Sequence, residues 1–186
     1  MNKMKVRELM RPLEEFPHIS SQATFMEAVE ALEKADQEYK SGKASQRILL
    51  VYDGTGKIVG KMSPMDVVQG LEPKYLDIDI PQSTSIPLLM QRMHKSVKKE
   101  LRLWQPPLGE LCNKNHLVKI HEFIKMPTRD HMVSIDDKMD KAFHLFVVGR
   151  HDSLFVQDGQ DIAGLIRFSD VYKKIIEVMK ECPLPT

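Results

Sequence analysis

Two aspartates, Asp66 and Asp170, each close a stretch that opens on a glycine: Gly60-Lys61-Met62-Ser63-Pro64-Met65-Asp66 and Gly164-Leu165-Ile166-Arg167-Phe168-Ser169-Asp170. A carboxylate offers two acceptor oxygens, suited to a pair of neighbouring hydroxyl groups. In both stretches an apolar residue stands two after the glycine and a valine, Val67 or Val171, just beyond the aspartate. The pattern reads as a strand ending where a helix begins. At such a junction the first helix amides lack intrahelical partners, and the positive end of the helix dipole favours an anion. Ser63 adds a hydroxyl, and Gly60, having no side chain, lets a ligand approach the strand backbone closely. Ser63-Pro64-Met65-Asp66 is also a plain helix start, with serine as N-cap, proline at the first helical position and an acid three after the cap. The structural role and a ligand role are compatible.

The elements around these stretches repeat in register. An offset of 114 carries Val6 onto Ile120, Glu8 onto Glu122, Leu9 onto Phe123, Ile19 onto Val133 and Ala28 onto Ala142. After the first long helix the offset falls to 105, matching Leu50 with Phe155 and Asp53-Gly54 with Asp158-Gly159. In the next turn it becomes 104, which aligns Gly60 with Gly164 and Asp66 with Asp170. Both register changes fall at loops or a helix end, where a duplicated unit tolerates insertion.

Each half reads strand, helix, strand, strand, helix. In the first, Pro17 to Ser20 is extended, and Phe25, Met26, Val29 and Leu32 lie at helical spacing behind a Thr24 and Glu27 capping box. That helix continues through Tyr39 and stops at Gly42. Arg47 to Tyr52 and Lys57 to Met62 form paired strands about Asp53-Gly54-Thr55-Gly56, and Ser63 opens a helix ended by Gly70. In the second half the counterparts are Met132 to Ser134, Met139 to Val148, Leu154 to Gln157, Ile162 to Ile166 and Phe168 to Met179. The boundaries are a first unit 1–71, a helical insert or linker 72–117, a second unit 118–180 and a proline-broken tail 181–186. In the insert, Ile86, Met90, Met93, Val97, Leu101 and Trp104 recur three or four apart, one helical stripe.

A unit of about 60 residues buries only about 60% of its unfolded surface, so the halves are expected to pack as one pair. A net charge of +1 gives no general attraction to nucleic acid or membrane. Neither a membrane span nor a leader is recognisable, and the expectation is a cytoplasmic protein. Cys112 and Cys182 form no CxxC motif, which speaks against a zinc ribbon or a disulfide framework. His116, His121, His131, His144 and His151 are separated by five, ten, thirteen and seven residues, never the three or four that place two metal ligands on one helical face. No metal site is expected. His18 and His131 adjoin the two short strands and are candidates for a pH response. Lys95, Lys98, Lys99 and Arg102 make a basic side on the insert, read as a solvated face that complements a helix end. Glycine-rich phosphate loops, HExxH and nucleophile-base signatures are missing from the sequence, so no catalytic residue is assigned.

The doubled order of short strand, helix, hairpin and glycine-to-aspartate stretch resembles a tandem pair of cystathionine-beta-synthase (CBS) domains, a Bateman module, over about 120 residues. The resemblance implies an α+β fold of two β-α-β-β-α units packed as a pseudo-symmetric pair. It implies clefts that bind AMP, ADP, ATP or an adenosyl compound as a regulatory ligand, with no required cofactor, and assembly as a homodimer. By the resemblance, Asp66 holds a ribose, Ser63 a phosphate, and Ile19 with neighbouring apolar groups sandwiches the base beside Gly60. Val133, Gly164, Arg167 and Asp170 are the second cleft's counterparts. Arg167 departs from the family's preference for serine or threonine there; it either fills the cleft or clamps a di- or triphosphate. The function expected is a non-enzymatic adenine-nucleotide sensor acting on a separate effector protein. The alternative is a ligand-free dimerisation or interaction scaffold working through the insert.

Overall fold

The computed structural model describes residues 4–74, 103–124 and 126–181. Most of the insert's apolar stripe (Ile86 to Leu101), its basic side (Lys95 to Arg102) and Cys182 with the proline-rich tail lie outside the described residues. In chain order come strand β1 (Arg11–Pro12), β2 (His18–Ser20), helix α1 (Phe25–Lys40), β3 (Leu49–Tyr52), β4 (Ile58–Met62) and α2 (Pro64–Leu71). Then follow α3 (Leu108–Asn115), β5 (Met132–Ser134), α4 (Met139–Gly149), β6 (Ser153–Asp158), β7 (Asp161–Arg167) and α5 (Phe168–Glu181). Both halves thus realise the β-α-β-β-α order.

These elements form two compact units, Glu15–Met126 and Met1–Glu14 with Pro127–Thr186. In the first unit β2 runs parallel to β3 and β4 antiparallel to it, giving the sheet order β2-β3-β4. Its core gathers Phe25, Ala28 and Leu32 from α1 with Leu49, Val51 and Met62 from the sheet, and with Ile120 and Phe123. In the second unit the order is β1-β7-β6-β5. Val133, Met139, Phe146, Leu154 and Ile166 pack there around Val6.

The repeat units of the sequence and the compact units of the fold therefore differ in one respect. Each short leader that precedes a repeat belongs to the body of the other repeat. The hydrogen bonds that seat the two leaders match at the 114-residue offset. The Val6 amide donates to Asp137 O (2.9 Å) and that of Arg7 to Ile135 O (3.2 Å), while the Ile120 amide donates to Ala23 O (2.9 Å) and that of His121 to Ser21 O (3.1 Å). Lys5 and Arg7 also reach the Asp136 carboxylate.

Local chemistry explains the element ends. At α1 the expected capping box is present, with the Glu27 amide donating to Thr24 Oγ1 (3.2 Å) and the Thr24 amide to Glu27 Oε2 (2.6 Å). The Asp53 Oδ1 atom accepts from the amides of Thr55 (2.8 Å) and Lys57 (3.0 Å) and closes the β3-β4 turn. Gly70 does not end α2, which runs through Leu71. It is buried, and an added Cβ would lie 2.9 Å from the Phe123 ring and 3.0 Å from that of Phe25, so this glycine admits two aromatic rings.

Candidate functional site

In the unit Glu15–Met126, strand pairing sets Ile19 opposite Val51 and Val51 opposite Gly60, one row across the sheet. Ile19 is half-buried and packs at the margin of the core. Two residues past Gly60 the strand ends, and Ser63, extended at φ −127° and ψ 171°, serves as N-cap of α2. The Ser63 amide and hydroxyl both donate to Asp66 Oδ2, each at 2.7 Å. Among the described residues no hydrogen bond reaches the second oxygen, Asp66 Oδ1. Asp66 is half-buried, so the helix-start role and an open acceptor coexist on one carboxylate.

The counterpart in the other unit is built differently. Val133, opposite Val156 and through it Gly164, is 1% exposed within the core. Gly164 faces Pro12 of β1, and a Cβ there would stand 2.1 Å from the Arg11 carbonyl oxygen. The space left by this glycine is therefore taken by the chain's own strand. Arg167, the last residue of β7, donates from Nε to Asp170 Oδ2 and from Nη2 to Oδ1, both at 2.8 Å. Arg11 adds longer bonds from Nε (3.3 Å) and Nη2 (3.4 Å) to the same two oxygens. Burial pushes the Asp170 carboxyl up, yet the guanidinium groups of Arg167 and Arg11 outweigh it and hold it below the ordinary carboxylate value. Arg11 carried no signal in the sequence, because its partner lies 159 residues away and no local spacing links them.

No protein-family model and no curated protein matches the chain. Solved structures do. The CBS domains of a transcriptional regulator from Streptococcus pneumoniae superpose with a TM-score of 0.52 at 11% identity, covering 91% of this chain and 98% of that one. CBSX2 in complex with AMP gives 0.51 at 15% identity over 94% and 98% of the two chains. The fold is that of a tandem CBS-domain pair. The cytosolic domain of the Mg2+ channel MgtE in complex with ATP is a further neighbour, with a TM-score of 0.52, 14% identity and coverage of 91% of this chain and 48% of that one.

Around the Asp170 end of this CBS pair a cavity of about 440 Å³ opens between the leader and α5. Arg11, Lys173 and Lys174 face Glu8, Asp170 and Glu177 in its lining, so its charges cancel, and Met4, Leu9 and Met10 complete the wall. The His131 and His151 ring centroids stand 4.3 Å apart, and Thr128 Oγ1 lies 2.8 Å from His131 Nδ1. His18, beside Ile19, meets the Tyr52 ring edge to face at 5.8 Å. Among the described residues no three His, Cys, Asp or Glu side chains gather as metal ligands would, and no helix is long and apolar enough to cross a membrane. The later described part of the insert is tied back to the end of α2, with the Trp104 amide donating to Oε2 of Glu72, the residue that follows the helix (2.9 Å), and Asn115 Nδ2 to the Leu71 carbonyl (2.9 Å).

Proposed function

We propose that this CBS pair is a regulatory, non-catalytic module that binds an adenine nucleotide or an adenosyl compound at the β4-α2 junction. The observation that carries the proposal is the open Oδ1 of Asp66, in the first turn of a helix that begins just after Gly60, the residue that strand pairing sets in one row with Val51 and Ile19. The carboxylate accepts a ribose hydroxyl. The Ser63 hydroxyl, whose hydrogen rotates to suit its partners, turns to the phosphate, and Ile19 lies against the base. Neighbours of the same fold in complex with AMP and with ATP support the choice of ligand class.

Regulation follows from linkage. A nucleotide that binds one arrangement of the chain better than another shifts the population toward it, by no more than its differential affinity. The proposal includes self-association as a homodimer and a separate effector chain as recipient of the signal. Isothermal titration with AMP, ADP, ATP and an adenosyl compound tests it; the expected result is saturable binding of at least one. Absence of heat with all four sinks the proposal.

A second class of function, a ligand-free interaction scaffold, is favoured by Leu108 and Leu117, which are 61% and 74% exposed on the described part of the insert. A partner that stays bound after nucleotide is stripped, and is lost with Leu108→Asp and Leu117→Asp combined, would establish it.

A further inference from the structure

The two aspartates that the repeat makes equivalent are not equivalent as acceptors. An ionised carboxylate has about four lone-pair positions. On Asp170 four guanidinium hydrogens meet them: Arg167 bonds one oxygen each from Nε and Nη2 at 2.8 Å, and Arg11 does the same at 3.3 and 3.4 Å. The Asp170 side chain is 6% exposed and that of Arg167 14%. On Asp66, by contrast, both hydrogen bonds fall on Oδ2.

From this saturation we infer that the chain binds one nucleotide, at Asp66, and that Arg167 is the residue that closes the equivalent position in the second half. The inference rests on the nucleotide reading of Asp66 and sets its stoichiometry. To reach Asp170, an uncharged ribose hydroxyl would have to displace a guanidinium that holds the carboxylate both as a counter-ion and through a two-bond fork. It would also strand the Arg167 cation, which is nearly buried. The other counterparts are engaged as well. Val133, 1% exposed, belongs to the core where Ile19 is half-buried, and Gly164 has the Arg11 carbonyl 2.1 Å from its missing Cβ. Those two positions are engaged by apolar packing and by backbone, whereas the acceptor oxygens themselves are closed by side chains, of which Arg167 makes the shorter bonds. The neighbouring cavity does not replace it, since its three cations are matched by three carboxylates.

Native mass spectrometry of the full chain with AMP, and with ATP in a second arm, counts bound ligands directly. We expect one nucleotide per chain in the wild type and, at a ligand concentration that just saturates it, a severalfold lower occupancy with Asp66→Ala. Arg167→Ser, which removes the fork and restores a hydroxyl, is expected to admit a second nucleotide at least tenfold more tightly than the wild type. Two nucleotides per wild-type chain would overturn the inference while leaving the nucleotide reading intact. A chain that takes up neither ligand would overturn both. A folded Arg167→Ser protein, judged by an intact thermal transition, that still takes only one would show that Arg167 is not the determinant. Should that variant fail to fold, the wild-type count together with Asp66→Ala decides the stoichiometry alone.

Discussion

Val6 and Ile120 occupy the same place in the two repeats, 114 residues apart, and each is fully buried in the core that the other's repeat supplies. The leader ahead of one half is thus a structural part of the other. A chain begun at residue 15 keeps every element of the unit Glu15–Met126 and deprives its companion of Val6, β1 and the contacts to Asp136. Hydrogen exchange on that truncated chain should show early loss of protection in β5, β6 and β7, with β2, β3 and β4 retaining theirs.

Ile120→Ala tests the reciprocal contact. Removing a fully buried isoleucine from a packed core costs about 2–5 kcal/mol, and the loss should appear in the unit built on α1 and β2 to β4. Equal loss of protection in both units would contradict this assignment.

Gly164→Ala places a methyl group against backbone, not against a flexible side-chain tip, because its nearest neighbour is the Arg11 carbonyl oxygen. Overpacking of this kind costs about 1–3 kcal/mol. The expected outcome is a lower denaturant midpoint together with faster exchange at β1.

Acid should act through Asp170. Its carboxyl titrates below the ordinary value in the folded chain, so folding releases protons from this group between the folded and unfolded values. Its stabilisation is complete above about pH 4, the unfolded value, and disappears as pH falls through the folded one. Denaturant titrations across pH 5 to 2 should give a steeper loss for the wild type than for Asp170→Asn. Parallel curves would show that the pair with Arg167 is not what is lost.

Asp66→Ala removes hydrogen bonds to a charged acceptor, which are worth about 1.5–3 kcal/mol. Nucleotide affinity should fall roughly ten- to hundredfold, measured by calorimetry. An affinity unchanged by this substitution would place the ligand elsewhere.

Much of this architecture was legible in the sequence because its signals are local. The Thr24 and Glu27 cap, the Asp53 turn and the strand ending at Met62 depend on residues three or four apart, and the structure places all of them as expected. The exchange of leaders was not legible, because Val6 and Ile120 have matching surroundings and either body would accept an apolar side chain there. Strand β1 is two residues long and ends in proline, too short for a period-two pattern. Gly70 showed how a single glycine misleads: it reads as a helix stop, whereas its bare α-carbon makes room for Phe123 and Phe25. At the candidate site the spacing of Ser63 and Asp66 was informative, while the saturation of Asp170 hinged on Arg11, beyond the reach of any local motif.

The crossing of the leaders also bears on how the chain comes off the ribosome. Neither body can close on its own segment: the first waits for Ile120 and Phe123, and residues 4–12 emerge long before β7 and Asp170 exist to receive them. Contacts so distant in sequence slow folding, so Val6 and its neighbours stay uncovered until residues 127–181 have been made. Circular permutants that bring residues 1–14 next to residue 127 would shorten that wait and should refold faster than the parent chain.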